Sequence, residues 1–279
     1  MDRIYQLLES VKDLPTAPQV LPKLLEVLQD ENSDVEQAGD LITFEPALTA
    51  RLLKYCNSAY FGGAEPVGSV PEAIGRVGFD AIYVLMTTAC GGTVFKLPPD
   101  CGLDGGELWK HSLLTAFGAK FVGESNGGDS NMLFTAGLLH DAGRVVLAKT
   151  KGAAYGKLLE RAGTEQVPAT LLEKPAYGFT HADVSACMLK VWRFPPPIVQ
   201  CVRYHHLPTE AGDAKNDAAC VCLGNVLAHT IDQPLGSCGI SGTELAKAME
   251  LLGINSQDMN DYSDRMRENW EFVNALLRS

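Results

Sequence analysis

The sequence predicts an all-α protein made of two helical lobes. Apolar residues recur at helical spacing along most of the chain. The stretch that starts at Pro46 shows this clearly, with one apolar face made of Leu48, Leu52, Leu53 and Cys56. Proline is tolerated in the first turn of a helix, so Pro46 fits the start of this one. Sustained alternation of apolar and polar residues, which is typical of half-buried strands, is not found over any useful length.

Ser-x-x-Glu pairs mark predicted helix starts. At this spacing the serine side chain accepts a hydrogen bond from the backbone N–H of the glutamate, and the glutamate side chain accepts one from the backbone N–H of the serine. The pairs are Ser33 with Glu36, Ser69 with Glu72, and Ser241 with Glu244. They support the helical assignment.

A break in the helical pattern divides the chain. Proline and glycine are concentrated between Lys96 and Gly106, and helical spacing resumes at Leu108. We therefore expect an N-terminal helical lobe over 1–100 and a second helical lobe over 101–279. The segment 207–216 is expected to be a surface loop. All six histidines lie in the second lobe, so the chemistry is expected there.

The final segment, from Met259 to Leu277, again has apolar residues at helical spacing. We interpret it as a helix that packs on the protein's own core. A helix that binds a partner is the alternative.

Composition and charge exclude several classes of protein. A chain of 279 residues, 46% of them apolar, can bury a core without disulfides, and its eight cysteines form no Cys-x-x-Cys pair. The net charge of −11, without a dense Lys/Arg stripe, argues against binding to nucleic acid or to an anionic membrane. No apolar run is long enough to span a bilayer, and the first residues lack the pattern of a signal peptide. A cytoplasmic protein is therefore expected.

The residues with the clearest chemical character are His140 and Asp141, within the apolar run 134–144. Burying such groups costs about 1–3 kcal/mol for each unsatisfied polar atom. A metal ion is one form of compensation, because two successive helical positions diverge by about 100° and can flank one ion or bridge two. Imidazole nitrogen and carboxylate oxygen suit Zn, Mn, Fe or Ni better than Ca. Alternatively, His140 donates to a backbone carbonyl and Asp141 caps a neighbouring helix.

The other histidines also admit two explanations. His111 lies amid apolar residues, as a core histidine with satisfied hydrogen bonds would. His181 begins a predicted helix, where it could belong to a turn resembling a capping box. His205 and His206 end another helix, where the helix dipole favours imidazole. For His229 the dipole is the one explanation offered.

These residues carry a resemblance to a known family. The segments 14–18, 42–53, 57–60 and 72–78 resemble the N-terminal half of the HDOD family, and 109–112, 137–144 and 204–206 are similar to its second half. Asn57-Ser58 and His140-Asp141 are the most distinctive pieces. The resemblance runs from about Leu14 to Ala228 and implies a helical fold related to HD phosphohydrolases and HD-GYP cyclic-dinucleotide phosphodiesterases. The second lobe is then expected to be an HD-like helical bundle.

The resemblance also implies a set of metal ligands. Active relatives have a lone His, a His-Asp pair followed by Gly-Lys, another His, a His-His pair and a final Asp. The matching residues, in that order, are His111, His140, Asp141, His181, His205 and His206, with Asn225 in the place of the final Asp. One or two divalent ions of Fe, Mn, Ni or Zn are expected, with Asp141 and Arg144 as catalytic candidates.

This chain departs from the active pattern at three places. Arg144 replaces the phosphate-contacting Lys, yet it keeps the positive charge and can bind phosphate through two N–H groups. Asn225 offers a neutral amide, which gives a metal ion a weaker field than a carboxylate. Gly-Tyr-Pro is missing after His206.

The resulting prediction is a bacterial signal-transduction output or adaptor domain that holds a metal without strong catalysis. Its partners would be signalling proteins or a small phosphorylated ligand. An active metal-dependent phosphohydrolase or cyclic-dinucleotide phosphodiesterase is the alternative.

Overall fold

A computed structural model describes residues 2–11, 20–29, 39, 42, 46–57, 66–98, 101–231 and 240–268. These residues form helices, turns and loops and contain no strand, which confirms the predicted all-α class. They cluster into two compact units. The larger unit holds 2–11 and 94–268, and the smaller unit holds the described residues between 20 and 93. The lobe limits 1–100 and 101–279 stay a prediction.

The described residues of the smaller unit include four helices. Numbered in chain order, they are α2 (Val20–Gln29), α3 (Pro46–Cys56), α4 (Val70–Val77) and α5 (Phe79–Val94). Pro46 is the first residue of α3, as predicted. After α3, the Asn57 side chain exchanges two hydrogen bonds with the backbone of Val67, at 2.7 and 3.0 Å. These bonds fasten the chain that leads into α4.

Among the described residues, no helix taken singly is both long enough and apolar enough to cross a bilayer. Helices α4 and α5 have sufficient length and hydropathy only when taken together, and a bend of 119° separates them.

The larger unit begins with α1 and continues with ten described helices after residue 100. They are α1 (Asp2–Ser10), α6 (Gly105–Ser125), α7 (Ser130–Leu139), α8 (Ala142–Lys151), α9 (Ala153–Glu165), α10 (Ala169–Tyr177), α11 (His181–Val191), α12 (Pro196–Tyr204), α13 (Lys215–Ile231), α14 (Gly242–Leu252) and α15 (Ser256–Glu268). The segment 207–216 contains two short 3₁₀ turns before α13.

The predicted helix starts are partly reproduced. Ser69 and Ser241 each accept a hydrogen bond from the backbone N–H three residues later. The reciprocal bond differs at the first of them, because Glu72 accepts from the N–H of Gly68. The Ser33–Glu36 pair and the residues after 268 lie outside the described part of the chain.

The N-terminus of α6 precedes the position at which helical spacing resumes in the sequence. Asp104 caps this helix by accepting hydrogen bonds from the N–H groups of Gly106 and Glu107. The first residues of α6 carry no apolar pattern, and the Asp104 cap determines where the helix begins.

Small residues allow the central helices of the larger unit to approach closely. Helix α6 packs against α13 and α7. A Cβ atom added to Gly224 of α13 would lie 2.5 Å from the backbone nitrogen of Ala119 in α6, and one added to Gly137 of α7 would lie 2.8 Å from the Cα of Ala116. Only glycine permits such separations between backbones. None of the seven described cysteines forms a disulfide, and all seven are buried, as expected of small apolar side chains.

The contact at Gly224 leads to a stability test. We expect Gly224→Ala to lower the free energy of unfolding by about 1–3 kcal/mol, because the added methyl forces α6 and α13 apart. Gly242→Ala is the matched control, since nothing lies within 4 Å of a Cβ at that helical position. Denaturant unfolding followed by circular dichroism measures both. Equal stabilities for the two variants would contradict this account of the packing.

Candidate metal centre

Three helices and one turn between helices bring six of the predicted ligands together. Each of the six side chains is buried, with no more than 7% of its surface exposed. The cluster consists of His111 inside α6, His140 and Asp141 between α7 and α8, His181 at the start of α11, and His205 and His206 just after α12. We call these six residues the histidine–aspartate cluster.

His140 and Asp141 do not share one helix, and the expectation of a continuous helix through this run is wrong. Helix α7 ends at Leu139 and α8 begins at Ala142. The backbone of Asp141 has φ −101° and ψ 8°, which lies outside the helical region and turns the chain between the two helices. Arg144 therefore lies in the first turn of α8, three residues after Asp141, rather than on a helix shared with His140.

Two rings of the cluster have their tautomers fixed by backbone carbonyls. Nδ1 of His140 lies 2.7 Å from the oxygen of Gly137, and Nδ1 of His205 lies 2.7 Å from the oxygen of Val202. A carbonyl oxygen can only accept, so each Nδ1 must donate a proton. Each Nε2 then keeps its lone pair. Neither Nε2 atom has a hydrogen-bond partner among the described residues.

His181 is oriented by a carboxylate that the sequence reasoning missed. Glu173 of α10 is fully buried and accepts from both the backbone N–H and the Nδ1 of His181, each at 2.8 Å. Glu173 also accepts from the hydroxyl of Tyr155 at 2.8 Å. Nε2 of His181 is left facing Asp141 and His206. A carboxylate behind a ligating imidazole is a common feature of metal sites.

The hydrogen bonds and the capping box proposed as alternatives to metal binding are present, but they do not involve the Nε2 side of the rings. His140 does donate to a backbone carbonyl, and Thr180 and Asp183 do form a complete capping box around the start of α11. Asp141, in contrast, makes no side-chain hydrogen bond that caps α8. Since these bonds occupy Nδ1 or the backbone, they leave Nε2 available for a metal ion.

The potential ligand atoms fall into two groups that meet at Asp141. One group is His111, His140 and Asp141, and the other is His181, His205 and His206; within each, the donor atoms lie within 4.8 Å of one another. Oδ1 of Asp141 lies 3.1 Å from Nε2 of His181, and Oδ2 lies 3.5 Å from Nε2 of His140. One carboxylate oxygen therefore faces each group.

Burial favours the neutral, metal-binding form of four of the five imidazoles in the cluster. Burial lowers the pKa of His140, and it lowers the pKa values of His111, His205 and His206 well below the ordinary range, with neighbouring imidazoles adding to the effect. His181 is the exception. Burial acts to lower its pKa as well, but the Glu173 carboxylate outweighs burial and raises it.

The two buried carboxylates remain ionised. Burial would raise the pKa of Asp141, but Arg144, together with His140 and His181, holds it well below the usual range. Nε of Arg144 lies 2.7 Å from Oδ2 of Asp141. Burial would likewise raise the pKa of Glu173, whereas its contacts with His181 and its proximity to Arg144 bring it to about 2. The interior thus contains fixed negative charge beside neutral nitrogen donors.

This donor set fits a divalent transition metal. Lone pairs on the buried Nε2 atoms of His140 and His205 are unpaired among the described residues, and an ionised carboxylate lies beside them. Imidazole-rich sets of this kind suit Zn, Fe, Ni or Mn rather than Ca or Mg. The assignment of individual ligands stays a prediction.

Helix α13 carries Asn225 and His229, and His229 contacts a residue of the cluster. Asn225 is buried, and His229 follows it by four residues and therefore lies on the same helix face. The ring centroid of His229 lies 4.6 Å from that of His111. The sequence reasoning gave His229 only a role at the helix end. Its i+4 spacing from Asn225 was the available signal for a position near the cluster.

The fold and the cluster together define an HD-like helical domain, in which a His-Asp pair lies within a buried group of histidines. More specifically, the chain belongs to the HDOD domain family, whose sequence pattern matches residues 14–208. The resemblance that the sequence suggested is thereby confirmed.

Solved structures share this fold. An HDOD domain protein of unknown function from Geobacter sulfurreducens aligns with TM-score 0.79 and 23% identity, covering 99% of this chain and 96% of that one. A candidate phosphohydrolase from Shewanella amazonensis aligns with TM-score 0.72 and 23% identity, covering 98% and 97%. A candidate signal transduction protein from Marinobacter aquaeolei aligns with TM-score 0.79 and 21% identity, covering 100% and 65%. These identities establish a common fold.

A sequence relative is considerably longer than this chain. The chain is 28% identical over 227 residues to an uncharacterized protein of Treponema pallidum (strain Nichols). The match covers 80% of this chain but only 44% of that protein.

Glu173 provides a test of how the cluster is oriented. We expect Glu173→Gln to weaken binding of a divalent transition metal by about 10–100-fold, because the amide cannot accept both bonds from His181 in the same way. Competition against a metallochromic chelator measures the affinity. Tyr155→Phe is the control, since it removes one donor to Glu173 and leaves the Glu173–His181 contacts in place. Unchanged affinity in Glu173→Gln would show that this carboxylate does not orient the ligand.

Proposed function

We propose that this chain is a signal-transduction output or adaptor domain whose histidine–aspartate cluster binds one or two divalent transition-metal ions without strong catalysis. The observation that carries the proposal is the orientation of the buried rings. The Nδ1 protons of His140, His181 and His205 are directed to oxygen acceptors. Nε2 of His140 and Nε2 of His181 lie 3.5 and 3.1 Å from the Asp141 carboxylate. The ring centroid of His205 lies 4.9 Å from that of His140 and 5.6 Å from that of His181.

The residues proposed to hold the metal divide into two parts. His111, His140 and Asp141 would hold one ion, and His181, His205 and His206 would hold a second, with Asp141 shared between them. A bound ion of this kind supplies a Lewis acid and lowers the pKa of a coordinated water. Glu173 keeps the His181 ring in one orientation, and Arg144 keeps Asp141 ionised.

Two observations support a weak or absent catalytic activity. The position of the final Asp is occupied by Asn225, whose neutral amide strengthens neither metal binding nor the acidity of a bound water. The cluster is also deeply buried, with His140, His181 and His205 fully shielded from solvent. A catalytic metal site needs an open position for water and access for the substrate.

The signalling role is supported by family membership and by fold. HDOD domains resemble catalytic HD domains, and a solved neighbour of the same fold is a candidate signal transduction protein. We propose signalling proteins or a small phosphorylated ligand as partners. Nucleic acid is disfavoured by the net charge of −11.

Metal-dependent phosphoester hydrolysis is the second candidate function, and Arg144 favours it. Its guanidinium lies directly beside Asp141 and retains the charge with which the active relatives contact phosphate. The neighbour from Shewanella amazonensis is a candidate phosphohydrolase. In this function Arg144 would orient the phosphate while the cluster held the metal.

Metal content tests the proposed centre. We expect the purified chain to bind Fe, Mn, Ni or Zn, as measured by elemental analysis after reconstitution and desalting, with one or two ions per chain. His140→Gln should lose most of this metal, because the amide keeps a donor for the Gly137 carbonyl but lacks the imidazole lone pair. Thr164→Ala on α9 is the control, since its side chain bonds only within its own helix. Metal-free wild-type protein after reconstitution would refute the centre.

Turnover by the wild-type chain separates the two functions, and Asn225→Asp tests the effect of the missing carboxylate. With Mn²⁺ or Fe²⁺ we expect the wild-type chain to leave cyclic dinucleotides and a chromogenic phosphodiester intact. We expect Asn225→Asp to bind metal about tenfold more tightly or better, since a carboxylate adds a full charge to the site. Product formation followed by chromatography measures turnover. Robust hydrolysis by the wild type that is lost in His140→Gln would establish the phosphohydrolase instead.

A further inference from the structure

A concave site lies on the larger unit, and none of the residues of the histidine–aspartate cluster lines it. It has a volume of about 340 Å³, within the size range of small-molecule sites. Four helices each contribute one cationic side chain: Arg3 from α1, Lys174 from α10, Lys190 from α11 and Arg203 from α12. We call this site the basic pocket.

The charge of the basic pocket is opposite to that of the chain. Its lining contains four cationic side chains and a single carboxylate, Asp183, although the whole chain has a net charge of −11. Cations dispersed over an acidic surface attract no anion in particular. Four of them converging on one concavity create a local positive potential, which is strongest where low-dielectric walls surround it.

Asp183 neutralises only part of this charge. Its two oxygens lie 3.6 Å from Nζ of Lys174 and 3.6 Å from Nε of Arg203. These separations exceed the 2.7–2.9 Å typical of strong charge-assisted hydrogen bonds. The donors on Lys174 and Arg203 are therefore held near the pocket without being saturated.

The two other cations have no acidic partner. Arg3 and Lys190 form no ion pair with any residue in the described part of the chain, and both are exposed to solvent. The guanidinium of Arg3 lies beside Gly178, at 3.8 Å from where a Cβ would be, in the turn that leads from α10 to α11. An incoming anion can thus be contacted by side chains from different helices.

The remaining lining is apolar. Ile4 and Phe179 are buried and contribute to the wall between the cations. Apolar walls with a few convergent polar groups are typical of small-molecule sites. A simple inorganic ion would leave these walls unused, so the lining favours a phosphate that is attached to an organic group.

We propose that the basic pocket binds the phosphate of a small phosphorylated ligand, roughly the size of a mononucleotide. Arginine forks and lysine ammonium groups are the side chains that proteins use to bind phosphate. Arg3 and Arg203 would contact the phosphate through their N–H groups, and Lys174 and Lys190 would add charge. The biological use of this ligand rests on the proposed signalling function, whereas its binding is independent of the metal centre.

The experiment measures binding to the full chain by isothermal titration calorimetry at about 0.15 M salt, where weak surface attraction is screened. The probes are guanosine monophosphate and pyrophosphate, with guanosine as the phosphate-free comparison. EDTA is present throughout, so that a metal-bound phosphate cannot contribute. We expect saturable binding of guanosine monophosphate and no binding of guanosine. Pyrophosphate should bind more weakly than the nucleotide, because it leaves the apolar wall uncovered.

Matched variants locate the site. Arg3→Gln and Lys190→Gln should each weaken binding at least about tenfold, the effect of losing one charged hydrogen bond. Lys157→Gln and Lys215→Gln remove the same charge from exposed positions on α9 and α13 and should leave binding unchanged. His140→Gln should also leave it unchanged, which separates this proposal from the metal centre.

Three results would overturn the proposal. The first is the absence of saturable binding by either phosphate compound. The second is an equal weakening by the pocket variants and the two control lysine variants, which would mean a nonspecific charge effect. The third is loss of guanosine monophosphate binding in His140→Gln, which would move the phosphate to the histidine–aspartate cluster.

Discussion

Polar groups buried within an apolar core impose the main constraint on this domain. Each buried polar atom without a partner costs about 1–3 kcal/mol, and the cluster contains five imidazoles and a carboxylate. On the Nδ1 side of three of the rings, the protein supplies the hydrogen-bond partners that burial requires. Gly137, Val202 and Glu173 supply acceptors for Nδ1 atoms, and these bonds fix which nitrogen keeps the lone pair. The inner side is left rich in unprotonated nitrogen, where a cation provides the compensation.

The helix packing brings these rings within reach of one another. Gly137 lies one turn before His140 and allows α7 to approach α6, the helix that carries His111. Gly143 allows α8 to approach the start of α11, where its N–H donates to Ser185 at 2.7 Å. Any larger residue at these glycines would separate the elements that hold the cluster. The metal centre therefore depends on backbone separations as much as on its ligands.

Much of this could be anticipated from local sequence signals. Apolar spacing predicted the helices, whereas the grouping of His111, His140, His181 and His205 was implied by the resemblance to the HDOD family. Local signals failed where the outcome depends on distant contacts. An apolar run that includes His140 and Asp141 gives no sign that the chain turns between them.

Glu173 shows the same limitation more strongly. It lies in a segment without any recognisable motif, and its role emerges only when α10 and α11 pack together and place its carboxylate against His181. His229 is similar, since its contact with His111 joins two helices that are far apart in the sequence.

The balance of charge bears on how many ions the cluster holds. Asp141 and Glu173 are ionised and Arg144 is cationic. When all five imidazoles are in the neutral form that binds a metal, His181 included, these groups leave one uncompensated negative charge. One divalent ion changes this net charge from −1 to +1. A second ion would add two further positive charges to a site that is already positive. Even two unit charges 4 Å apart repel by about 4 kcal/mol at an effective dielectric constant of 20, and divalent ions repel more strongly. A carboxylate at position 225 would offset part of this repulsion, and Asn225 does not. Charge balance therefore favours tight binding of one ion and weak binding of a second, and a substrate phosphate clamped between two metals is correspondingly disfavoured.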